Sequence, residues 1–175
     1  MEFLSLTKTR QSCRKFDNTK QVLKEDIDYC LEAARLAPSA CNAQPYKFIV
    51  CTDNTAKLTA DCIHSMGMNK FALDAPCFIV ICENNYSISA AFGSKIKDQD
   101  FRSIDIGIAA AHITLAATEK GLATCILGWF DEKKLKKLLG IKNRIRLIIA
   151  VGYSVEGYPL REKTRKDIKE IADIR

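Results

Sequence analysis

Residues 37–46, Ala37-Pro38-Ser39-Ala40-Cys41-Asn42-Ala43-Gln44-Pro45-Tyr46, join the end of one helix to the start of a strand through small and amide side chains. Upstream, Lys24 to Ala37 repeats apolar residues at helical spacing: Ile27, Leu31, Ala34 and Ala37, with Cys30 among them. Pro38 ends that helix. Downstream, Pro45 biases Gln44 to an extended conformation leading into Tyr46-Lys47-Phe48-Ile49-Val50-Cys51, a strand by its β-branched and aromatic content. In between, Ser39 and Asn42 supply short polar groups, while Ala40, Cys41 and Ala43 leave room for a flat aromatic ring against the backbone. Two readings stand side by side, a binding loop and a plain helix-to-strand connection.

Arg10-Gln11-Ser12-Cys13-Arg14-Lys15-Phe16 forms a second polar segment. On a helix, Arg10 and Arg14 share one face, with Ser12 between them. Two guanidinium forks and a hydroxyl suit a phosphate and the carbonyl edge of a ring. The alternative is a basic helix end that is simply solvated.

A chain of 175 residues with 47% hydrophobic content predicts one domain, residues 1–175, with a substantial core. No run of about twenty apolar residues is present to span a bilayer. The charged start, Met1-Glu2 through Lys8, has no signal-peptide apolar region, which predicts a soluble, cytoplasmic protein. The 8 cysteines form no Cys-x-x-Cys pair and several sit in apolar patterns, so they read as small buried hydrophobes. Cys62 and His64 lack a second pair at zinc-ligand spacing, and no metal is expected. The net charge of +6 is spread out, apart from Lys133-Lys134 with Lys136-Lys137 and the tail from Arg161. That lysine group reads as a solvated helix face, so neither nucleic acid nor membrane is expected as a partner. Attraction of an anionic cofactor accounts for the excess.

Further along, Thr52 or Asp53 is a candidate cap for a helix to Met66, and Phe71 to Pro76 leads into the strand Cys77 to Cys82. Asn84 to about Asp98, with Gly93, reads as a short helix and a mobile loop over a pocket. The helix from Asp100 to Lys120 is apolar nearly all round, so a subunit interface is a reasonable second surface for it, and His112 reads as a core or interface histidine. Gly121 caps it, and Ala123 to Phe130 is extended. Asp131 caps a helix from Glu132 to Leu139 that Gly140 ends, Arg146 to Tyr153 is a strand, and Lys166 to Ala172 looks helical. Gly-x-Gly-x-x-Gly after a strand, a P-loop, His-Glu-x-x-His and Gly-x-Ser-x-Gly are all missing, which argues against Rossmann dehydrogenases, P-loop NTPases, zinc peptidases and α/β-hydrolases.

Five segments in order carry a resemblance across nearly the whole chain: Arg-x-Ser-x-Arg, Ala-Pro-Ser-x-x-Asn-x-Gln-Pro, Asp74-Ala75-Pro76 before a strand, Gly121-Leu122-Ala123-Thr124-Cys125, and Gly152-Tyr153 followed by Lys163-Thr164-Arg165. Together they resemble the nitroreductase family of FMN-dependent oxidoreductases. The resemblance implies an α+β fold with a mostly antiparallel central sheet flanked by helices, assembled as an intertwined homodimer with two FMN sites at the interface. It implies that Arg10, Lys163 and Arg165 hold the phosphate, with Ser12 beside the flavin and Arg14 at its N1 and C2 carbonyl edge. Pro38, Ser39 and Asn42 would come from the partner subunit, with Gln44 supporting the loop. Leu127 and Gly128 match the place where the family aims a backbone N–H at flavin N5. No protein side chain is then expected as acid, base or nucleophile, since the flavin carries the chemistry.

The implied activity is hydride transfer from NADH or NADPH to FMN, then to a nitroaromatic, quinone or similar electron-poor small molecule, by a ping-pong mechanism. The alternative is a flavin carrier or sensor module with little turnover. The chain departs from larger members at Met68 and Phe71, where they have a polar residue and a lysine, and Asn69 and Lys70 lie nearby but out of register. The region that builds a substrate lid in larger members is reduced to about Asn84 to Arg102. Trp129 and Phe130 either stack near the flavin or pack the core.

Overall fold

The strand Cys77–Glu83 (β2) sends its side chains alternately into two apolar layers, and the rest of the chain fills both. Phe78, Val80 and Cys82 enter one layer, and Cys77, Ile79 and Ile81 the other. The computed structural model, which describes residues 2–64, 67–86, 96 and 98–175, sets β2 between β1 (Tyr46–Thr52) and β4 (Ile145–Gly152). β3 (Ala123–Leu127) lies on the far side of β4, giving the order β1-β2-β4-β3. All three pairings are antiparallel, with Tyr46 opposite Glu83, Cys77 opposite Val151 and Ala123 opposite Gly152.

Helices cover both faces. On one, α2 (Lys24–Arg35) and α4 (Phe101–Glu119) pack Ile27, Cys30, Ala34, Ile106, Ala109 and Ile113 onto Ile79, Ile81, Ile149 and Val151. On the other, α3 (Asp53–Ile63) and α5 (Glu132–Leu139) contribute Ala56, Ala60, Ile63 and Leu135. α1 (Phe3–Thr9) lies against α4, and α6 (Ile168–Ile171) is one turn in the C-terminal tail. Local chemistry sets these bounds: the Asp100 and Asp131 carboxylates accept from the Ser103 and Lys134 N–H groups at 3.2 and 2.9 Å. Gly140, at φ +64°, ends α5 in the left-handed region. At Gly152 a Cβ would stand 2.6 Å from Pro76 Cδ, so glycine lets the lead-in to β2 close over the end of β4.

The helical expectation for the segment after α1 is corrected. Arg10 to Arg14 is not helical: α1 stops at Thr9, Arg10 turns out at ψ 120°, and the segment runs extended, with Ser12 bridging Thr124 and Phe16 bridging Ser154. Sheet pairing, with Cys13 N–H donating to the Thr124 carbonyl at 2.8 Å, overrides local helix preference. Alternate residues of an extended chain share a face. Arg10, Ser12 and Arg14 therefore still line up, while Cys13 turns into the core.

α4 buries Asp105, Ile106, Ala109, Ala110, Ile113, Thr114, Ala116 and Ala117, but leaves Ile104, Gly107 and Ala111 exposed and Ile108 and Leu115 half-buried. Its outward stripe is uncovered within the described chain. All eight cysteines are free and all except Cys41 are buried; burial pushes Cys30 up to about 11 and Cys77 to about 12, which keeps them neutral fillers. Most of the expected loop from Asn84 to Asp98, Gly93 included, lies outside the described residues, as does Met66 at the expected end of α3. Among the described residues no helix is long and apolar enough to cross a membrane.

Candidate functional site

Gln11 fastens the segment after α1 to the C-terminal tail. Its Nε2 donates to the Pro159 carbonyl at 3.0 Å, and its Oε1 accepts from the backbone N–H and Nε of Arg161 at 3.1 and 3.3 Å. Arg161 Nη2 also donates to the Ser12 carbonyl, Lys163 Nζ donates to the Arg10 carbonyl at 2.5 Å, and the Tyr158 hydroxyl accepts from Arg14 N–H at 3.0 Å. These bonds gather Arg10, Ser12, Arg14, Arg161, Lys163 and Arg165 around a cavity of about 290 Å³.

Glu162 is the one carboxylate among the lining residues. Among the described residues none of the five cations takes part in an ion pair. Burial, then the charges of Arg10, Arg165 and Arg161, hold the Lys163 ammonium below the ordinary lysine value. Uncompensated cations with converging N–H donors form a site that an anion stabilises, and guanidinium forks match phosphate oxygens.

The loop after α2 is built differently. Leu36 closes the helix, Ser39 is extended, and Ala40–Asn42 form a 3-10 turn. Cys41, Asn42 and Gln44 have φ of 51°, 51° and 44°, left-handed conformations that cost about 1–3 kcal/mol each for residues other than glycine, so the extended conformation expected of Gln44 before Pro45 is corrected: its bonds to Ser39 and Asn42 override the bias. Hydrogen bonds hold this arrangement: Gln44 N–H donates to Ser39 Oγ at 3.0 Å, and Gln44 Nε2 donates to the carbonyl and Oδ1 of Asn42 at 3.1 and 3.2 Å. From α4, Asp105 Oδ1 accepts from Ala40 N–H at 3.0 Å. None of Pro38, Ser39, Asn42 and Gln44 lines the basic cavity of its own chain.

Leu127 ends β3 buried, and Gly128 follows exposed. Because Ser12 pairs with Thr124 in parallel, Gly128 continues in the direction that leads from Arg10 to Arg14. Asn69, at φ +55°, donates through Nδ2 to the Trp129 carbonyl at 3.0 Å. Phe130 packs against the core, whereas Trp129 keeps 53% of its surface exposed. Met68 is exposed and Phe71 packs inward. His112 Nδ1 lies 2.9 Å from the Ile108 carbonyl one turn back, a bond internal to α4.

The structure thus joins Arg10, Ser12, Arg14, Lys163 and Arg165 around one cavity, and no residue from Pro38 to Gln44 lines it. Sequence reasoning missed Gln11 and Tyr158, whose partners lie 144 or more residues away and leave no local trace. It also passed over Asp105, whose available signal was a lone acid between Ile104 and Ile106 in an apolar helix.

The sequence profile of the nitroreductase family matches residues 7–66 and 55–153. A protein of Archaeoglobus fulgidus bearing an NADH dehydrogenase/NAD(P)H nitroreductase name is 31% identical over 98% of this chain and 92% of its own. The crystal structure of a nitroreductase family protein from Streptococcus pneumoniae superposes with a TM-score of 0.81 at 27% identity, covering 99% of this chain and 100% of the other. An FMN-dependent nitroreductase from Clostridium difficile gives a TM-score of 0.73 at 28% identity, over 94% of this chain and 92% of its own. With matching motifs, fold and near full-length relatives, this chain belongs to the nitroreductase family.

Proposed function

We propose that residues 1–175 form one FMN-binding domain and that the protein is an NAD(P)H-dependent FMN oxidoreductase, working as a cytoplasmic homodimer with shared flavin sites. The carrying observation is the basic cavity, in which cations from both ends of the chain converge without ion pairs among the described residues. That donor set fits the FMN phosphate: Arg10, Lys163 and Arg165 would hold it, with Ser12 beside the flavin. Arg14 would set a positive charge at the N1 and C2 carbonyl edge, where negative charge develops on reduction. Leu127 and Gly128 would turn backbone N–H toward N5. Pro38, Ser39 and Asn42, braced by Gln44, would reach the ring from the partner subunit.

When bound, FMN supplies a two-electron relay, taking hydride from NADH or NADPH and giving it to a nitroaromatic, quinone or similar electron-poor small molecule in a ping-pong sequence. The protein's part is to orient donor and acceptor in turn and to stabilise charge. The names of the Archaeoglobus and Clostridium relatives support the reductant and the cofactor. The homodimer is supported by the separation of loop from cavity, by the open stripe of α4, and by Ile168, Ile171 and Ile174, which leave 66%, 67% and 98% of their surfaces uncovered. Eight free thiols suit a reducing compartment.

The visible spectrum of the purified protein, before and after anaerobic NADH and then NADPH, tests the reading. A flavin spectrum that bleaches rapidly is the expected result. Flavin that stays oxidised with both donors would favour a carrier or sensor, and a protein that takes up no FMN would overturn the proposal.

A further inference from the structure

Asp105 is 2% exposed, yet it points its carboxylate at the backbone of a loop 65 residues away in sequence. Oδ1 accepts from Ala40 N–H, and Oδ2 has no hydrogen-bond partner among the described residues. The bond falls where the loop needs an anchor: Ala40 opens the 3-10 turn, and three left-handed residues follow within four positions. Ser39 and Gln44 tie the loop to itself, whereas Asp105 fixes it to α4, the body of the domain. The carboxylate lies near enough to Tyr46 and Tyr86 that, after burial, its charge helps push both hydroxyls up. Arg102, over the Tyr86 ring at 4.9 Å, is held by Glu83, so the wall around Asp105 is itself braced. A buried acid in an apolar helix is costly unless it is used.

We propose that Asp105 is the positioning residue of the Ser39–Gln44 loop, holding it through Ala40 N–H in the strained form that presents Ser39 and Asn42 to flavin. The inference rests on the FMN reading above. Without the anchor, the left-handed residues relax toward extended conformations, and only a fraction of molecules offer a competent loop. Apparent FMN affinity falls by that fraction. The charge itself is not required, because an amide oxygen accepts the same bond.

The test measures FMN affinity by quenching of flavin fluorescence, alongside the melting temperature of the FMN-free protein. Asp105→Ala removes the acceptor and Asp105→Asn retains it. Ala40→Pro deletes the N–H from the loop side; Ser39, at φ −144° and ψ 154°, already has the geometry that a following proline requires. Asp105→Ala and Ala40→Pro are each expected to weaken FMN binding about ten- to a hundredfold, the scale of leaving a buried donor or acceptor without its partner. The double variant should be no weaker than the worse single one, Asp105→Asn should stay within about threefold of wild type, and Ala40→Pro, which leaves the buried carboxylate without its donor, should lower the FMN-free melting temperature while the native fold is retained.

Arg165→Ala serves as the control for the cavity. If Arg165→Ala loses FMN while Ala40→Pro and Asp105→Ala keep wild-type affinity, the positioning role is wrong and the FMN reading stands. Additive effects, or an Asp105→Asn as weak as Asp105→Ala, would also overturn it. Wild-type protein that binds no FMN would overturn both.

Discussion

Replacing Gln11 by alanine tests how the anion site is assembled, because Gln11 carries no charge and its side-chain hydrogen bonds all go to the tail. The substitution deletes three hydrogen bonds: to the Pro159 carbonyl, from Arg161 N–H, and from the Arg161 guanidinium. Water reaches this surface, so about 0.5 kcal/mol is lost for each neutral bond and about 1 kcal/mol for the charge-assisted one. The sum of about 2 kcal/mol corresponds to a shift of up to about thirtyfold in the population of fastened tail. Lys163 and Arg165 ride on that tail, and FMN affinity should fall by up to the same factor. Fluorescence titration reads the affinity, and limited proteolysis reads release of residues 159–175. An affinity unchanged in Gln11→Ala, with the tail cut faster than in wild type, would refute the claim that tail position governs FMN binding.

The depressed Lys163 value gives a pH signature: the ammonium loses its proton at a lower pH than ordinary lysine, so FMN affinity should decline as pH rises through that value, and Lys163→Arg should extend the plateau upward. At the acid end, affinity should drop below about pH 6, where the phosphate takes up a proton. Of eight cysteines only Cys41 is exposed, so one thiol should react rapidly in the native protein; Cys41→Ser should abolish that phase, and bound FMN should slow it if the loop faces flavin. Ile108→Asp places a charge on the open stripe of α4 and is expected to give monomers that bind no FMN, as read by sedimentation and absorbance; a monomer that retains FMN would contradict a shared site.

The sheet was legible because β2 and β4 are runs of apolar, β-branched residues with clear ends, and α5 because Asp131 and Gly140 bracket it. The extended run from Arg10 to Phe16 was not, since its conformation is imposed by Thr124 and Ser154, far along the chain. Spacing nevertheless grouped Arg10 with Arg14, because residues four apart share a face in either conformation. Lys163 and Arg165 were visible as a basic run, whereas the bonds that bring them to Arg10 involve backbone carbonyls and carry no sequence signal. The α2-to-β1 connection declared itself through Pro38 and Pro45, but its left-handed residues include Cys41 and Gln44, which no turn preference selects.

In the proposed homodimer, the basic cavity of one subunit and the Pro38–Gln44 loop of the other make one FMN site. Mixed dimers test it most directly. Subunits carrying Lys163→Ala with Arg165→Ala, and subunits carrying Asn42→Ala, should each fail to bind FMN as homodimers. Differently tagged and co-expressed, they should form mixed dimers with one restored site and one FMN per dimer. Mixed dimers that bind no FMN, while wild-type homodimers bind two, would contradict the account.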